Sequence, residues 1–239
     1  MDEPLLNLED VCAGYGGREV LRKISLAVHE AQVALILGPN GHGKTTLLRC
    51  ISGLVRPTTG TIHLDGTLLN QQRPEAIVKL GVVHVPQGDM LFSDMSVRDN
   101  LLMGAFLSSN IAERDRHLEK IYALLPRLEE RQEQMASSLS GGERRMLAIG
   151  RGLMTEGQVM ILDEPSLGLA PIVVDQIYDV IKNLKAQGRT IVLVEESPKL
   201  ALELADIVYL LEDGRFIWKG PPEDLADRQE MIEVYLGRR

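Results

Sequence analysis

The sequence has no uninterrupted apolar run of about 18 residues, the length that a membrane-spanning helix requires. Its first residues, MDEPLL, are acidic, whereas a secretory signal peptide begins with basic residues. We therefore expect a protein that neither spans nor crosses a membrane by its own sequence. No internal repeat or low-complexity segment is evident, and 239 residues that are 44% hydrophobic suit one large or two small globular units.

Cysteine and positive charge are also scarce. Cys12 and Cys50 are the only cysteines and lack C-x-x-C spacing, so we expect two reduced, packed thiols in a cytosolic protein. The 34 acidic residues outnumber the 26 basic ones, which gives a formal net charge of −8. That balance argues against a general nucleic-acid or anionic-membrane surface, although a local basic site could still bind an anionic substrate.

The distribution of apolar residues predicts an α/β core preceded by antiparallel strands. In the first seventy residues, short apolar stretches alternate with glycine turns, which is typical of antiparallel strands. The run QVALILG (32–38) predicts a buried strand, and a helix is expected from about Gly43 to Gly53. VMILDE (159–164) and TIVLVE (190–195) predict further buried strands, separated by a helix that begins at Pro171 and ends at Gly188.

Residues from Ser96 to Leu153 show a helical pattern throughout, which predicts a helical subdomain, at about 90–155, inserted into the α/β core. Ser96 with Asp99 and Asn110 with Glu113 resemble N-cap pairs. The segment LPRLEERQEQMASS (125–138) is interpreted as a polar connector.

The stretch GPNGHGKTT (38–46) fits the phosphate-binding pattern G-x-x-x-x-G-K-[ST] and lies between a predicted strand and a predicted helix, as that pattern requires. The glycines allow successive N–H groups to face phosphate oxygens, Lys44 supplies charge to the β- and γ-phosphates, and Thr45 is a ligand for Mg²⁺. Thr46 is expected to reach the α-phosphate, while the side chain of His42 is expected to point away. The predicted nucleotide-binding residues of this P-loop are Gly38, Pro39, Asn40, Gly41, His42, Gly43, Lys44, Thr45 and Thr46.

Acidic and amide side chains at strand ends predict the catalytic groups. Asp163 and Glu164 are adjacent on a strand and so point to opposite sides; Asp163 suits Mg²⁺, and Glu164 suits a general base for the attacking water. Gln87 follows another short apolar strand and could bind Mg²⁺ or that water, although a loop glutamine alone is usually just solvated. Tyr15 lies between glycines, which would leave its ring free to stack on a base. Partial burial of the ring in the core is the alternative.

A second glycine-containing segment, LSGGERRMLAIGRGL (139–153), resembles an anion site without an anion. A helix is predicted after Gly141 and Gly142, so its positive N-terminal end and bare N–H groups should lie near Ser140. One nucleotide does not need two such sites.

Together these motifs resemble the nucleotide-binding subunit of ABC transporters, in order along nearly the whole chain. Tyr15 corresponds to the A-loop, GPNGHGKTT to Walker A, Gln87 to the Q-loop, LSGGE to the signature, VMILDE to Walker B and SLGL (166–169) to the D-loop. The resemblance implies a P-loop NTPase fold over 1–239 and the cofactors ATP and Mg²⁺. It also implies head-to-tail pairing, in which Ser140, Gly141 and Gly142 close over the ATP of the other subunit.

Softer features, DEPSLGLAP, MLAIGRGLM and the closing VYLGRR, resemble the LivF-type ATPases of branched-chain amino acid importers. That resemblance implies import of hydrophobic amino acids, with a second ATPase subunit, membrane permeases and an external binding protein as partners. It places the chain in the cytoplasm, on the cytoplasmic face of the membrane. It implies no nucleic-acid partner.

One position departs from the general family pattern. Where the family has a switch histidine after the TIVLV strand, this sequence has Glu196, which we assign to the catalytic site. An ionised glutamate only accepts hydrogen bonds and brings negative charge toward a polyanion, so we expect a poor hydrolytic site. A protonated carboxyl, a carboxyl turned toward other groups, or a simple polar helix start with Ser197 as the N-cap are the alternatives.

Three other functions remain as alternatives. A soluble ABC ATPase acting on DNA or ribosomes has a coiled-coil insertion or two cassettes, and this sequence has one cassette and no heptad run. A P-loop kinase lacks the signature helix. An ABC transporter subunit for another cargo, such as urea or short amides, is the third alternative.

Overall fold

A computed structural model describes residues 3–108, 110–196 and 199–226. The predicted cap residue Ser197 and the closing VYLGRR segment lie outside the described residues. Within the described ranges, no helix is both long and apolar enough to cross a membrane.

Short strands and helices follow one another along the chain. In chain order they are β1 (Leu6–Tyr15), β2 (Arg18–Val28), β3 (Val33–Leu37), α1 (Lys44–Ile51), β4 (Thr59–Leu64), β5 (Thr67–Leu68), α2 (Pro74–Leu80), β6 (Val82–Val85), α3 (Val97–Gly104), α4 (Ile111–Leu124), α5 (Pro126–Glu130), α6 (Gly141–Leu153), β7 (Val159–Asp163), α7 (Pro171–Ala186), β8 (Thr190–Glu195), α8 (Lys199–Leu204), β9 (Ile207–Glu212), β10 (Arg215–Gly220) and α9 (Pro222–Ala226).

The central sheet has the strand order β10-β9-β3-β8-β7-β6, and only β10 runs antiparallel to its neighbour. Every residue of β3, β7 and β8 is buried, because helices cover one face of the sheet and α1 with a second sheet covers the other. Continuous apolar strands are what such two-sided burial requires. The α/β core predicted from the sequence is confirmed.

The second sheet is antiparallel, with the order β2-β1-β4-β5, and it is built from the N-terminal segment as predicted. Its inward side chains share one hydrophobic cluster with α1 and with alternate residues of β3, β7 and β8. Leu35 and Leu37 face the opposite cluster, whereas Ala34 and Ile36 face this one, as strand alternation dictates.

Helices α3 to α6 lie between β6 and β7 in the chain, in the segment predicted to be helical. The Ser96 side chain accepts from the Asp99 N–H and the Asn110 side chain from the Glu113 N–H, so both predicted caps are confirmed. The predicted polar connector is partly wrong. Pro126 starts a short helix, α5, whose Leu128 is buried in the core, and a 3-10 helix follows at Ala136–Ser138.

Four parallel strands end at the same edge of the sheet, and each leads into a predicted functional segment. β3 leads into the P-loop, β6 toward Gln87, β7 into Glu164 and β8 into Glu196. The carboxyl edge of a parallel sheet is where α/β proteins bind ligands. The fold therefore brings Asn40 of the P-loop to Glu196, which is 156 positions away in sequence.

Candidate functional site

The P-loop wraps around a cavity of about 340 Å³. Gly43 is the N-cap of α1 and has a φ of 106°, a left-handed conformation that favours glycine. The first turn of α1 consequently faces the cavity, as in anion sites at helix N-termini. The lining includes the predicted nucleotide and catalytic groups Asn40, Lys44, Thr45, Thr46, Gln87 and Glu164.

Lys44 is folded back into its own loop, and only 4% of it is exposed. Its Nζ donates to the Gly38 carbonyl at 2.7 Å and to the Pro39 carbonyl at 3.2 Å, and it lies 3.0 Å from Glu164 Oε1. Since the ammonium is satisfied by these oxygens, a polyphosphate must compete with Glu164 for it.

Glu164 is buried between Lys44 and Gln87. Gln87 Nε2 donates to Glu164 Oε2 at 2.9 Å, so both carboxylate oxygens have a partner. The backbone of Glu164 has a φ of 46°, which costs about 1–3 kcal/mol for a residue with a Cβ. Such strain at the end of a central strand is common where a side chain must be aimed into a site.

Asp163 is 1% exposed, and within the described part of the chain neither of its carboxylate oxygens accepts a hydrogen bond of ordinary geometry. Burial and then the charge of Glu164 raise the pKa of Asp163, while nearby Thr45, Lys44 and Arg145 oppose the rise. A buried carboxylate with free oxygens beside a threonine hydroxyl fits a hard cation such as Mg²⁺. The described residues contain no cluster of three or more His, Cys, Asp or Glu side chains that could hold a metal ion. Phosphate oxygens would therefore have to complete the coordination of a cation held by Asp163 and Thr45.

Glu196 contacts the P-loop directly. Asn40 Nδ2 donates to Glu196 Oε2 at 3.0 Å, and Lys44 Nζ donates to Asn40 Oδ1 at 3.4 Å. The carboxylate is therefore turned toward the loop, and its partner is a neutral amide. A line of polar contacts from Glu196 through Asn40 and Lys44 reaches Glu164.

His42 and Tyr15 lie outside the lining of the P-loop cavity. The ring of His42 points away from the cavity, and its Nδ1 accepts from the Asp213 N–H at 3.0 Å, which anchors the loop to the β9–β10 turn. Gly41 also lines the cavity. Tyr15 is half exposed at the end of β1, and its hydroxyl lies 3.4 Å from an Arg49 guanidinium nitrogen on α1. Its hydroxyl therefore lies beside α1, and the residue is outside the lining of the cavity.

The segment around Ser140 lies apart from this cavity. The lining of the P-loop cavity includes none of Ser140, Gly141 and Gly142; Ser140 and Gly142 line a separate cavity of about 450 Å³. A Cβ on Gly142 would lie 2.6 Å from a Val173 methyl group, so glycine is needed for the close approach of α6 to α7.

The N-terminus of α6 is less bare than the sequence suggested. Ser140 and Glu143 form a capping box, in which the Ser140 N–H donates to Glu143 Oε2 and the Glu143 N–H donates to Ser140 Oγ. The hydrogen bond from the Ser140 N–H, more than any other cause, lowers the pKa of Glu143. The donors left for an anion are the Ser140 hydroxyl proton and the N–H groups of Gly141 and Gly142.

Sequence reasoning missed two buried polar residues beside the catalytic pair. Glu195 Oε1 accepts from the Tyr178 hydroxyl at 3.0 Å and from the Ser166 N–H at 3.3 Å, which ties the segment after Glu164 to the end of β8. Arg145 of α6 is 3% exposed and donates only to main-chain carbonyls around Gln87 and Glu164. Its position on the same helix face as Ala148 and Ile149, both buried, was the available signal.

Comparison with known proteins agrees with this geometry. Residues 21–167 match the family model described as ABC transporter. The chain is 38% identical to a high-affinity branched-chain amino acid transport ATP-binding protein, BraG, of Pseudomonas aeruginosa, over 98% of this chain and 100% of that one. It is also 38% identical to the Nod factor export ATP-binding protein I of Cupriavidus pinatubonensis, over 97% of this chain and 71% of that one.

Among solved structures, a nucleotide-free ATP-binding cassette from an ABC transporter superposes with a TM-score of 0.84 at 27% identity, covering 98% of this chain and 99% of that one. The family match spans the P-loop, Gln87, the Ser140 segment and Glu164. The chain belongs to the ABC transporter family and is one of its ATP-binding, ATP-hydrolysing subunits.

Proposed function

We propose that this subunit binds ATP in its P-loop cavity and hydrolyses it only after pairing with a second ATPase subunit, which is either a copy of itself or a different chain. The observation that carries the proposal is the separation of the two anion-binding features. Lys44, Gln87 and Glu164 line one cavity, while Ser140 and Gly142 line another. Each site supplies half of what a bound triphosphate needs, so two subunits arranged head to tail complete each other's sites.

Binding of ATP begins with the release of Lys44 from Glu164. The β- and γ-phosphates compete for the Lys44 ammonium, which now lies 3.0 Å from Glu164 Oε1. This exchange favours the phosphates because they carry more charge than one carboxylate. Once released, Glu164 is free to accept a proton from the attacking water, and Gln87 beside it orients that water.

The cation would bind where Thr45 of the cavity lining lies beside Asp163. Thr45, Asp163 and Gln87 would hold Mg²⁺ together with the phosphates, and when bound it neutralises developing phosphate charge. Asp163 and Glu164 therefore perform different tasks from adjacent positions, one for the cation and one for the water.

The Ser140 segment supplies the donors for the ATP of the other subunit. The hydroxyl of Ser140 and the N–H groups of Gly141 and Gly142 are directed from the start of a 13-residue helix, whose dipole favours an anion at that end. The Glu143 carboxylate lies at the same end, and Arg131 Nε is 2.7 Å from its Oε1, which offsets its charge.

The surface for the permease is proposed to be the segment from Gln87 to about Gly104. Met90 is 68% exposed and Phe92 is half exposed, directly after Gln87. Asn100, fully buried, accepts from the Phe92 N–H and donates to the Phe92 carbonyl, so it fixes this segment. Movement of Gln87 on ATP binding would thus reach an apolar surface.

The cargo is proposed to be a branched-chain or other hydrophobic amino acid, imported with permeases and, indirectly, an external binding protein. BraG, similar over its full length, carries branched-chain amino acid transport in its name, which supports this assignment. The subunit would then lie on the cytoplasmic face of the membrane.

Cells lacking this chain test the cargo. Uptake of radiolabelled leucine should fall and should return with the wild-type chain but not with a Lys44→Ala chain made in equal amount. Undiminished uptake of leucine, isoleucine and valine would refute the cargo assignment. Loss of urea or amide uptake instead would favour another cargo, and recovery of ribosomes or DNA without a permease would favour the soluble class.

A further inference from the structure

Arg145 lies at the centre of the polar contacts between α6 and the catalytic site. Its guanidinium donates five hydrogen bonds, and all five acceptors are main-chain carbonyl oxygens. An arginine has five N–H donors in a planar fork, so its capacity is fully used. Burial lowers the pKa of Arg145, and the surrounding carboxylates, Asp89 first among them, oppose that decrease.

The acceptors fall into two groups that bracket the catalytic pair. Nη1 donates to the Pro86 carbonyl at 2.9 Å and to the Gly88 carbonyl at 2.7 Å, the residues on either side of Gln87. The carbonyls around Glu164 receive the other three bonds. Nη2 donates to Asp163 and to Glu164 itself, both at 2.8 Å, and Nε donates to Pro165 at 3.0 Å.

Glu164 needs such support because of its backbone conformation. At a φ of 46°, its side chain reaches both Gln87 and Lys44. The Glu164 N–H donates to the Val194 carbonyl at 2.9 Å, which fixes the peptide group before this residue. Arg145 fixes the peptide group after it through the Glu164 carbonyl, so the left-handed turn is held from both ends.

We propose that Arg145 is a positioning residue that holds the Gln87–Glu164 pair in its hydrolytic geometry and connects that pair to the helix that begins at Ser140. The inference rests on the proposed role of Glu164 as general base. Arg145 and Ser140 belong to one rigid helix end. Contact of Ser140 with the ATP of the partner subunit would consequently affect the positions of Gln87 and Glu164 in this subunit.

The test compares Arg145→Lys with Arg145→Gln in the purified full-length chain, assayed as the dimer, with itself or with its partner ATPase, that hydrolysis is proposed to require. Lysine keeps the charge but has three donors on one nitrogen and lacks the fork, so it cannot hold both loops. We expect kcat for ATP hydrolysis to fall about 10- to 100-fold with Arg145→Lys, since small misplacements of catalytic groups cost that much. The Kd for a fluorescent ATP analogue should not rise by more than about twofold, because Arg145 donates to no atom of the P-loop and a displaced Glu164 competes less for Lys44.

Arg189→Lys is the matched control. Arg189 also donates to a main-chain carbonyl, that of Gly157 at 3.2 Å, but it does so at the amino-terminal edge of the same sheet. Its kcat should stay within about twofold of wild type, and its melting temperature reports the cost of losing such a bond outside the site.

A double substitution separates positioning from general damage. On a Glu164→Gln background, Arg145→Lys should leave the residual rate within about twofold, because the Gln87–Glu164 pair that Arg145 holds has already lost its base. A multiplicative fall on that background, or a folded Arg145→Lys protein with wild-type kcat, would overturn the proposal. A Glu164→Gln chain with wild-type turnover would instead refute the proposed general base, and with it this role for Arg145. If Arg145→Gln does not fold, Arg145→Lys alone decides.

Discussion

Glu196 places a carboxylate beside the P-loop, where the general family pattern has a histidine. The carboxylate accepts a hydrogen bond from Asn40 at 3.0 Å, and the same amide accepts one from Lys44 Nζ at 3.4 Å. The Asn40 amide group lies between the two contacts, so Glu196 Oε2 and Lys44 Nζ are at most about 9 Å apart. Since Lys44 is the group that the β- and γ-phosphates must reach, Glu196 repels the same phosphates.

The size of that repulsion follows from the distance. Two unit charges about 9 Å apart interact by about 2 kcal/mol at an effective dielectric constant near 20 and by about 0.5 kcal/mol in water. Glu196 is partly exposed, which places the value toward the lower limit. Removing the charge should therefore raise ATP binding or turnover by about two- to tenfold. Glutamine keeps an acceptor for Asn40, so Glu196→Gln isolates the charge.

The assay is steady-state ATP hydrolysis by the purified subunit, as wild type, Glu196→Gln and Glu196→His, each measured alone and together with candidate partner ATPases. We expect histidine to give the larger rise, because it adds a donor for the γ-phosphate. Glu203→Gln, the same change at an exposed position of α8, should leave the rate unaltered. If both Glu196 variants hydrolyse ATP no faster than wild type, the idea of a charge-weakened site is wrong.

Three further predictions concern buried groups and the exposed surface. Burial, with a smaller effect of Arg49, lowers the pKa of His84 to about 4 from 6.5, so the unfolded chain alone gains this proton as the pH falls from 6.5 toward 4. The free energy of unfolding should drop by up to about 3 kcal/mol over that range, and by less in His84→Asn. Urea titrations at pH 7 and 4.5 measure both drops, and equal drops in the two proteins would contradict this prediction. Burial raises the pKa of the Cys50 thiol to about 12, so it should react with a disulfide reagent at pH 8 only in urea, and mass mapping of labelled peptides checks this. Phe92→Glu should abolish transport and leave ATP hydrolysis within about twofold, since Arg151, 5.5 Å from the Phe92 ring centre, offers the new carboxylate a partner; equal loss of both activities in a folded variant would count against the permease surface.

Local features of this fold were predictable from the sequence. The caps at Ser96 and Asn110, the apolar runs of β3, β7 and β8 and the helix that begins at Pro171 depend on residues within a few positions of one another. Short-range periodicity and capping therefore suffice for them. Helix α5 was missed because a charged segment conceals the single buried Leu128 that holds it.

Contacts at long range in the chain were not predictable in the same way. The bond between Asn40 and Glu196 joins residues 156 positions apart, and Arg145 reaches carbonyls up to 59 positions away. Such contacts depend on how α6 and the strand ends pack, and a main-chain carbonyl leaves no mark in a sequence. The motifs predicted most of the residues that line the P-loop cavity, but the pairing of Lys44 with Glu164 required the structure.

Two subunits that complete each other's ATP sites are the central claim, and the mass of the Glu164→Gln protein in solution tests it most directly. With saturating Mg-ATP, light scattering should show a dimer, because the amide keeps the site but cannot accept the proton from water. Adding Ser140→Arg should return the protein to monomers that still bind a fluorescent ATP analogue. Glu164→Gln subunits that bind ATP yet remain monomeric, alone and with candidate partner ATPases, would contradict the account.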